Sequence, residues 1–334
     1  MRKTKSIPEG LGRIFPPMAE YDYFLGADLV PFPGCGAEFS LEASWWLSEA
    51  AHIAYDRPNL IRNVFRLLGF AGFRFFGNKS TEAFVAHRPG LALVVFRGTE
   101  VKSLRSLLDL YTDARFTREA FQGGHVHKGF RDGIFQIWGG GCDDPDPADT
   151  WTRKNGMGAY LERLVADDPA MRFFFTGHSL GAALATLGAS LFPKATALYT
   201  FGSPRVGDRA FNDSVAVNHF RWVNNRDLVP LLPPAELMEK LVKYSYTHFG
   251  TEYRLDAAGA LVPPFAGREL AAAMTGDLDR FAAAWRDTVG SGEGLKGLLD
   301  VVIGRERPQE APLVEMLLDH APVQYSVKIW NLLC

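Results

Sequence analysis

Residues 173–185 read Phe-Phe-Phe-Thr-Gly-His-Ser-Leu-Gly-Ala-Ala-Leu-Ala, an apolar run that passes through Gly-x-Ser-x-Gly into an alanine-rich segment. The apolar run predicts a buried strand and the alanine-rich segment predicts a helix, so Ser179 stands at a sharp strand-to-helix turn. Gly177 and Gly181 fit this turn, because larger side chains would clash where the two backbones approach each other. The turn lifts the Ser179 hydroxyl out of the sheet and makes it a candidate nucleophile.

Short apolar runs recur along the chain, and segments of helical periodicity separate most of them. The predicted strands cover 82–87, 91–96, 172–176, 195–202, 219–224 and 246–255. Ahead of them, 41–55 is apolar at helical spacing and follows an irregular, Pro/Gly-rich leader over 1–36. Alternating strands and helices predict a mainly parallel sheet with functional residues at the carboxyl ends of its strands. With 334 residues, we expect the chain to form one elaborated domain.

The strand over 91–96 runs into a polar turn, Arg97-Gly98-Thr99, well before the serine. Acyl transfer builds negative charge on the former carbonyl oxygen, and preorganised donors must stabilise that charge. The backbone N–H of the residue after the nucleophile is a usual donor, and that residue is Leu180. We therefore expect an oxyanion hole formed by the Leu180 amide together with the amide and hydroxyl of Thr99.

The serine also needs a carboxylate that orients its histidine partner. After a turn of this kind the chain order is serine, then acid, then histidine, with each residue placed just beyond a strand. Asp227 meets this requirement, because it follows the predicted strand 219–224. Asp208 is its rival, but it directly precedes a predicted helix near Arg209 and fits a helix N-cap. We interpret Asp208 as structural.

The chain has eight histidines, and the order of the motifs leaves two as the candidate base. Those that precede Asp227 are His52, His87, His125, His127, His178 and His219. His248 lies within the predicted strand 246–255, whereas His320 follows an apolar helical stretch in a proline-containing loop suited to presenting an imidazole. His127 could join His125 in a metal site, but no carboxylate or cysteine cluster accompanies the pair, so we expect a buried structural histidine.

Composition indicates a soluble globular protein, with 47% hydrophobic and 22% charged residues. The net charge of −2 gives no reason to expect a nucleic-acid partner. Three widely spaced cysteines fit a reducing compartment, and no apolar segment after residue 5 resembles a secretory signal. No run is long enough to predict a transmembrane segment. We expect a cytoplasmic protein or one exported without a cleavable signal.

The motifs resemble those of the class 3 lipases, the family of the fungal triacylglycerol lipases. In chain order they are Val-Phe-Arg-Gly-Thr at 95–99, Val-His-Lys-Gly-Phe at 126–130, the Gly-x-Ser-x-Gly turn at 177–181, Thr-Phe-Gly-Ser-Pro-Arg-Val-Gly at 200–207 and Val-Asn-Asn-Arg-Asp-Leu-Val-Pro at 223–230. The resemblance covers roughly residues 40 to 255 and resumes at 319–320.

This resemblance implies an α/β-hydrolase fold, with a mainly parallel central sheet flanked by helices. It implies Ser179 as nucleophile, Asp227 as orienting acid and His320 as base. It also implies Thr99 and Leu180 as oxyanion donors. The family has a strand where this chain has 246–254, which supports His320 over His248.

Two segments have more than one interpretation. The family suggests a lid at 100–122, where 101–111 is amphipathic; an ordinary surface helix fits that pattern equally well. Residues 256–312 read as a helical insertion before the catalytic histidine, with apolar helical patterns over 269–289 and 295–303. The insertion could fill a satellite core, line the acyl pocket or form a second cover.

The predicted function is hydrolysis of fatty-acid esters, with acylglycerols as substrates, through an acyl-enzyme that needs no cofactor or metal. The expected partners are a lipid or ester substrate and, transiently, a lipid surface. Phospholipase A1 or galactolipase activity is the nearest alternative. A non-catalytic lipid-binding or partner-binding protein with a lipase-like fold is an alternative of another class.

Overall fold

In this computed structural model, the structure describes residues 2–8, 16–18, 20–78, 80–98, 117–142, 150–232, 246–262 and 318–334. The strands are β1 (Gly72–Asn78), β2 (Thr81–Arg88), β3 (Leu91–Phe96), β4 (Arg118–Phe121), β5 (Gly124–His127), β6 (Arg172–His178), β7 (Ala195–Phe201), β8 (His219–Asn224), β9 (Thr251–Leu255) and β10 (Leu261–Val262). The helices are α1 (Leu41–Ile53), α2 (Pro58–Leu67), α3 (Lys128–Trp138), α4 (Thr150–Asp167), α5 (Leu180–Leu191), α6 (Arg209–Ser214) and α7 (Pro322–Leu332), with a 3₁₀ turn at Val229–Leu231.

The central sheet has eight strands in the order β1-β2-β3-β6-β7-β8-β9-β10. Strands β3, β6, β7, β8 and β9 run parallel, while β1, β2 and β10 add antiparallel edges. The chain therefore has the expected α/β-hydrolase fold with a mainly parallel sheet. The carboxyl ends of the parallel strands meet at one edge of this sheet, where functional side chains gather.

Strand β6 is apolar on both sides because helices cover both faces of the sheet. Phe174 joins the core beneath α1, α2 and α7. Phe173 and Phe175 point to the opposite face and join the core beneath α3, α4 and α5. Successive strand residues alternate between faces, so a strand buried on both sides reads as a continuous apolar run. This explains why the stretch before the serine is easily recognised in the sequence.

The leader has no helix or strand over its described residues, yet it contributes to the core. Phe24, Val30 and Phe32 are buried in the cluster beneath α1. The first residues are attached to α7, because the Lys5 backbone N–H donates to Asn331 Oδ1 at 2.8 Å and the Asn331 side-chain amide donates back to Lys5 O at 2.9 Å. The leader therefore stabilises the last helix.

The structure corrects the prediction of a strand over 246–255. Strand β9 begins at Thr251, and Gly250 before it has φ +82°. Only Thr247, through a bridge to Gly207, extends the pairing upstream. The alternating pattern therefore predicted a strand longer than the observed one. His248 lies before strand β9 and not within it.

Both segments with open interpretations lie mostly outside the described residues. Of the candidate lid at 100–122, the part from Arg118 onward forms β4, which pairs with β5. Of the insertion at 256–312, the first residues form a turn and β10, which pairs with β9. The predicted amphipathic helix over 101–111 and the helical patterns over 269–289 and 295–303 lie outside what the structure describes. Within the described ranges, no helix is both long enough and apolar enough to cross a bilayer.

Candidate active site

Ser179 occupies the sharp turn between β6 and α5, with φ 59° and ψ −127°, and is 4% exposed. A positive φ is strained for a residue with a side chain, so the surrounding backbone must hold it in place. A Cβ on Gly177 would lie 2.3 Å from the backbone of Gly181, and a Cβ on Gly181 would lie 2.3 Å from Phe96 O. Both glycines are therefore required by close backbone approach, as the sequence predicted.

The turn after β3 lies directly against the serine turn. A Cβ on Gly98 would lie 2.8 Å from the carbonyl oxygen of His178, and one on Gly181 would lie 2.8 Å from the backbone nitrogen of Gly98. Leu180 is the first residue of α5, so its N–H has no intrahelical acceptor and belongs to the positive end of the helix dipole. Thr99 follows Gly98 in the chain but lies outside the described residues.

Asp227 and His320 meet at the carboxyl end of β8. His320 Nδ1 lies 2.9 Å from both carboxylate oxygens of Asp227, and both side chains are buried. The Asp227 Oδ1 atom also accepts a 2.9 Å hydrogen bond from the Val229 N–H. Because an ionised carboxylate only accepts hydrogen bonds, Nδ1 carries the proton in the neutral imidazole. Nε2 of His320 is then the basic nitrogen, and it is buried without a hydrogen-bond partner among the described residues.

Tyr325 on α7 is a site residue that sequence reasoning missed. Its hydroxyl donates to Asp227 Oδ2 at 2.5 Å and accepts from the Asn224 backbone N–H at 3.1 Å. Burial, followed by the adjacent Asp227 charge, raises the pKa of Tyr325 well above its usual value, so the phenol stays protonated and remains a donor. The sequence could have indicated Tyr325 only if a helix had been predicted directly after His320. Such a helix brings the residue five positions after His320 back toward the acid.

His178, beside the nucleophile, is a second residue that sequence reasoning set aside. Its Nε2 lies 2.6 Å from the backbone carbonyl oxygen of His320, and its Nδ1 lies 2.9 Å from the Tyr55 hydroxyl. A carbonyl oxygen only accepts, so Nε2 carries the proton and Nδ1 accepts from Tyr55. Burial, followed by the neighbouring His320, lowers the pKa of His178 well below its usual value and keeps the ring neutral. The two imidazole rings lie 4.5 Å apart.

Polar side chains connect the loop after β8 to the segment before α7. The Asn224 amide donates to Asp319 O at 2.8 Å, and its carbonyl oxygen accepts from Lys328 Nζ at 2.7 Å. The Asn225 amide donates to the Asp319 carboxylate at 2.9 Å. These bonds connect the backbone just before Asp227 to the residue before His320 and to α7.

The rival residues have other partners. Asp208 caps α6 through a bond from the Phe211 N–H at 2.9 Å and pairs with Arg118 at 2.6 Å, which agrees with the structural interpretation. His248 Nε2 lies 2.7 Å from Pro230 O rather than near a carboxylate. His127 is buried and caps α3 by accepting from the Gly129 N–H. In the ranges that the structure describes, no group of three His, Cys, Asp or Glu side chains could hold a metal ion.

Comparison with known proteins finds sequence similarity to lipases over part of the chain. The family model Lipase (class 3) matches residues 93–237. The lipase of Rhizomucor miehei is 32% identical over 171 residues, which are 48% of this chain and 40% of that protein. Secreted mono- and diacylglycerol lipase A of Penicillium cyclopium is 38% identical over 100 residues, which are 28% of this chain and 30% of that protein.

The chain thus spans less than half the length of either curated relative. Among solved structures, lipase II from Rhizopus niveus is similar with a TM-score of 0.49 and 23% identity, covering 65% of this chain and 81% of that one. The matched segment 93–237 contains the turn after β3, the Ser179 turn and the loop that carries Asp227. With the fold and these motifs in one order, the chain is similar to the class 3 lipases over residues 93–237.

Proposed function

We propose that this protein hydrolyses carboxylic esters of fatty acids, with acylglycerols as its substrate class. Ser179 is the nucleophile, His320 the base and Asp227 the orienting acid, while Leu180 and Thr99 supply the oxyanion donors. The observation that carries the proposal is the 2.9 Å contact between His320 Nδ1 and the buried Asp227 carboxylate. That contact leaves Nε2 as the basic nitrogen of an imidazole placed beside the nucleophile turn.

The reaction proceeds in two acyl-transfer steps. Ser179 Oγ attacks the ester carbonyl carbon while its proton passes to His320 Nε2, and the resulting imidazolium is stabilised by Asp227. The carbonyl oxygen becomes an oxyanion at the positive end of α5, where the Leu180 N–H donates to it. The C–O bond breaks as the imidazolium protonates the leaving alcohol. Water then attacks the acyl-enzyme by the same proton route and releases the fatty acid.

We assign acylglycerols as the substrate class because curated relatives from Penicillium cyclopium and Fusarium solani are named mono- and diacylglycerol lipases. These relatives match 28% and 27% of this chain. The proposed substrate class therefore carries a property of proteins similar to one part of the sequence over to the whole protein. Phospholipids and galactolipids carry the same ester bond. Hydrolysis of defined diacylglycerol, phosphatidylcholine and galactolipid substrates, compared at equal concentration, separates these classes.

The experiment that tests the proposal is hydrolysis of soluble p-nitrophenyl esters of increasing acyl length. Ser179→Ala and His320→Ala are expected to lose activity while they keep the circular dichroism spectrum of the unchanged protein. His248→Ala is the matched control, because its imidazole binds Pro230 O instead of a carboxylate. Loss of activity in His248→Ala alone would show that the base is misassigned.

A phosphonate probe that reacts with activated serines distinguishes the enzyme from a non-catalytic lipid-binding protein. We expect labelling at Ser179 that disappears in Ser179→Ala and falls strongly in His320→Ala. Folded protein that neither reacts with the probe nor hydrolyses any ester would overturn the proposed function.

We also infer that residues 1–334 form one domain. The leader supports this inference, since Phe24 and Val30 pack in the same core as Tyr325 and Trp330 of α7. Limited proteolysis followed by denaturant unfolding tests it: a single cooperative transition is expected, and two separate transitions would contradict it.

A further inference from the structure

The residue before the candidate base bonds three consecutive residues of the turn that leads to the candidate acid. Asp319 O accepts from the Asn224 side-chain amide at 2.8 Å. The Asp319 Oδ2 atom accepts from the Asn225 side-chain amide at 2.9 Å and from the Arg226 backbone N–H at 3.3 Å. Asp319 is buried, with 9% of its surface exposed, so these bonds form largely away from bulk water. The backbone and the side chain of one residue therefore bind the same turn.

The turn that Asp319 contacts has a strained backbone. It closes through a 2.8 Å bond from the Asp227 N–H to Asn224 O, and its second residue, Asn225, has φ +40°. A positive φ is uncommon for a residue with a side chain, and it persists where the surrounding structure holds it. Leu255 O accepts from the Asn225 N–H at 2.7 Å, so β9 binds the backbone of this residue while Asp319 binds its side chain.

Asp319 and His320 are adjacent in the chain, so the turn and the base are linked twice. The first link joins the Asp227 carboxylate to His320 Nδ1, which lies 2.9 Å from each oxygen. The second link is the Asp319 side chain, which binds the turn one and two residues before Asp227. A displacement of the turn away from this segment of chain would stretch both links at once.

We propose that Asp319 is a positioning residue for the pair formed by Asp227 and His320, because it fixes the turn of the acid against the segment that carries the base. Asp319 transfers no proton and acts only through the turn. The inference deepens the proposed function and rests on it for its rate measurements. The geometry that it names is present in the resting protein, so it can also be measured without hydrolysis.

Hydrolysis of a soluble p-nitrophenyl ester tests the proposal through kcat. Asp319→Leu removes both side-chain bonds while it keeps a side chain of similar size. Displacement of a catalytic group by about 1 Å can cost about 100-fold in rate, so we expect kcat to fall between about tenfold and about 100-fold with little change in KM. Asp319→Asn keeps a carbonyl oxygen that can accept the two bonds, and it is expected to recover most of the lost rate. Unchanged kcat in Asp319→Leu would overturn the proposal.

Asn225→Gly tests the same link from the turn. Glycine adopts the positive φ at this position without strain, so the substitution removes the side-chain donor and keeps the backbone conformation. We expect kcat to fall, and Asp319→Leu combined with Asn225→Gly should be no slower than Asp319→Leu alone, because both changes break one shared bond. Losses that multiply in the double variant would contradict this link. If Asp319→Leu does not fold, unchanged kcat in Asn225→Gly overturns the proposal.

Asp168→Leu is the matched control, because the Asp168 carboxylate also accepts two hydrogen bonds, from the N–H groups of Gly90 at 2.9 Å and Ala170 at 3.1 Å. Asp168 lies just before β6, at the end of that strand opposite Ser179. The control is expected to lose stability and to retain kcat. An equal loss of kcat in Asp168→Leu would show a general effect of losing a bonded carboxylate, and the assignment of Asp319 would fail.

The proton on His320 Nδ1 provides a readout that needs no catalysis. A histidine N–H bonded to a carboxylate gives a proton resonance far downfield of the amide signals, and its absence in His320→Ala assigns it. We expect this resonance in the unchanged protein and in Asp168→Leu, and its loss or broadening in Asp319→Leu. If the protein hydrolyses no ester, the proposed function fails and the resonance still decides the role of Asp319. A resonance that is unchanged in Asp319→Leu would overturn that role.

Discussion

The Tyr325 hydroxyl lies 2.5 Å from Asp227 Oδ2 and donates a hydrogen bond to it. Tyr325 lies on helix α7, which begins two residues after His320, and His320 contacts the same carboxylate. His320 reaches the same carboxylate at 2.9 Å through Nδ1. One short segment of chain therefore supplies both the candidate base and a bond that holds its acid. Asp227 is fixed from α7 as well as from its own loop.

Tyr325→Phe removes this bond while it keeps the ring in the core. A hydrogen bond to a buried charged group contributes roughly 2 kcal/mol, and the substitution also leaves the Asn224 N–H without its acceptor. We expect the free energy of unfolding to fall by about 2 kcal/mol and kcat to fall about tenfold. Denaturant unfolding and soluble-ester kinetics measure the two effects.

Tyr199→Phe is the control for this variant, because its hydroxyl bonds Ser40 N and Glu38 O on the leader side of the core. It should lose stability without losing kcat. If the two variants lost activity equally, Tyr325 would have no specific connection with Asp227.

Asp227→Asn keeps the size of the side chain but presents an amide that can donate to His320. The imidazole would then adopt the other tautomer, with its proton on Nε2, and could no longer accept the serine proton. By analogy with the serine proteases, kcat should fall roughly 10⁴-fold. Asp208→Asn is the matched control: it weakens the pair with Arg118 and should retain activity. Comparable activity of the two variants would contradict the assignment of Asp227.

His178→Leu tests whether the residue before the nucleophile positions the base. It removes the bond to His320 O and the acceptor for Tyr55, and it replaces the imidazole with an apolar side chain of similar size. A displacement of the base by about 1 Å is expected to lower kcat up to about 100-fold with little change in KM. Tyr55→Phe should have a smaller effect in the same direction. A variant with normal kcat would show that His178 only fills space.

The sequence predicted those parts of the fold in which local pattern and burial agree. Strands β3 and β8 have the bounds that the sequence predicted. For β3 the reason is that a strand buried on both faces gives a continuous apolar run. Strand β10 has two residues and β4 has four, which is too short for a pattern to be distinguished from a loop. The strand that ends at Leu255 is shorter than predicted, because the described residues upstream of Gly250 pair only through the bridge between Thr247 and Gly207.

The sequence predicted some residues of the candidate site and missed others, for the same reason. Ser179 and Asp227 each follow a strand within a distinctive local motif, so chain position alone indicates them. The contributions of Tyr325, Tyr55 and His178 depend on long-range contacts that no local pattern contains. His178 and His320, for example, are 142 residues apart in sequence.

Gly181→Ala tests the close approach on which the nucleophile turn depends. The added methyl group would lie 2.3 Å from Phe96 O, and the backbone there cannot move without disturbing β3. We expect a loss of about 3 kcal/mol or more in unfolding free energy, together with loss of esterase activity. Gly139→Ala is the control, since nothing lies within 4 Å of the added group. Thermal unfolding that is unchanged in Gly181→Ala would be incompatible with this geometry.

Buried neutral histidines should make the protein unstable in mild acid. Burial lowers the pKa of His52 to about 3, of His127 to about 4 and of His219 to about 3, against an ordinary value of 6.5. Below pH 6.5 the unfolded chain takes up these protons and the folded protein does not, so stability falls as the pH decreases toward the folded-state values. Each histidine contributes up to about 1.4 kcal/mol per pH unit in that window.

His52→Leu isolates one of these contributions. Both ring nitrogens of His52 are buried without a hydrogen-bond partner among the described residues, so leucine removes the titration and leaves no broken bond. At neutral pH the variant should be as stable as the unchanged protein. Urea unfolding between about pH 7 and about pH 5 should then show a slope shallower by the contribution of one histidine. An identical slope in both proteins would mean that His52 takes up its proton in the folded state, and burial would not be holding it neutral.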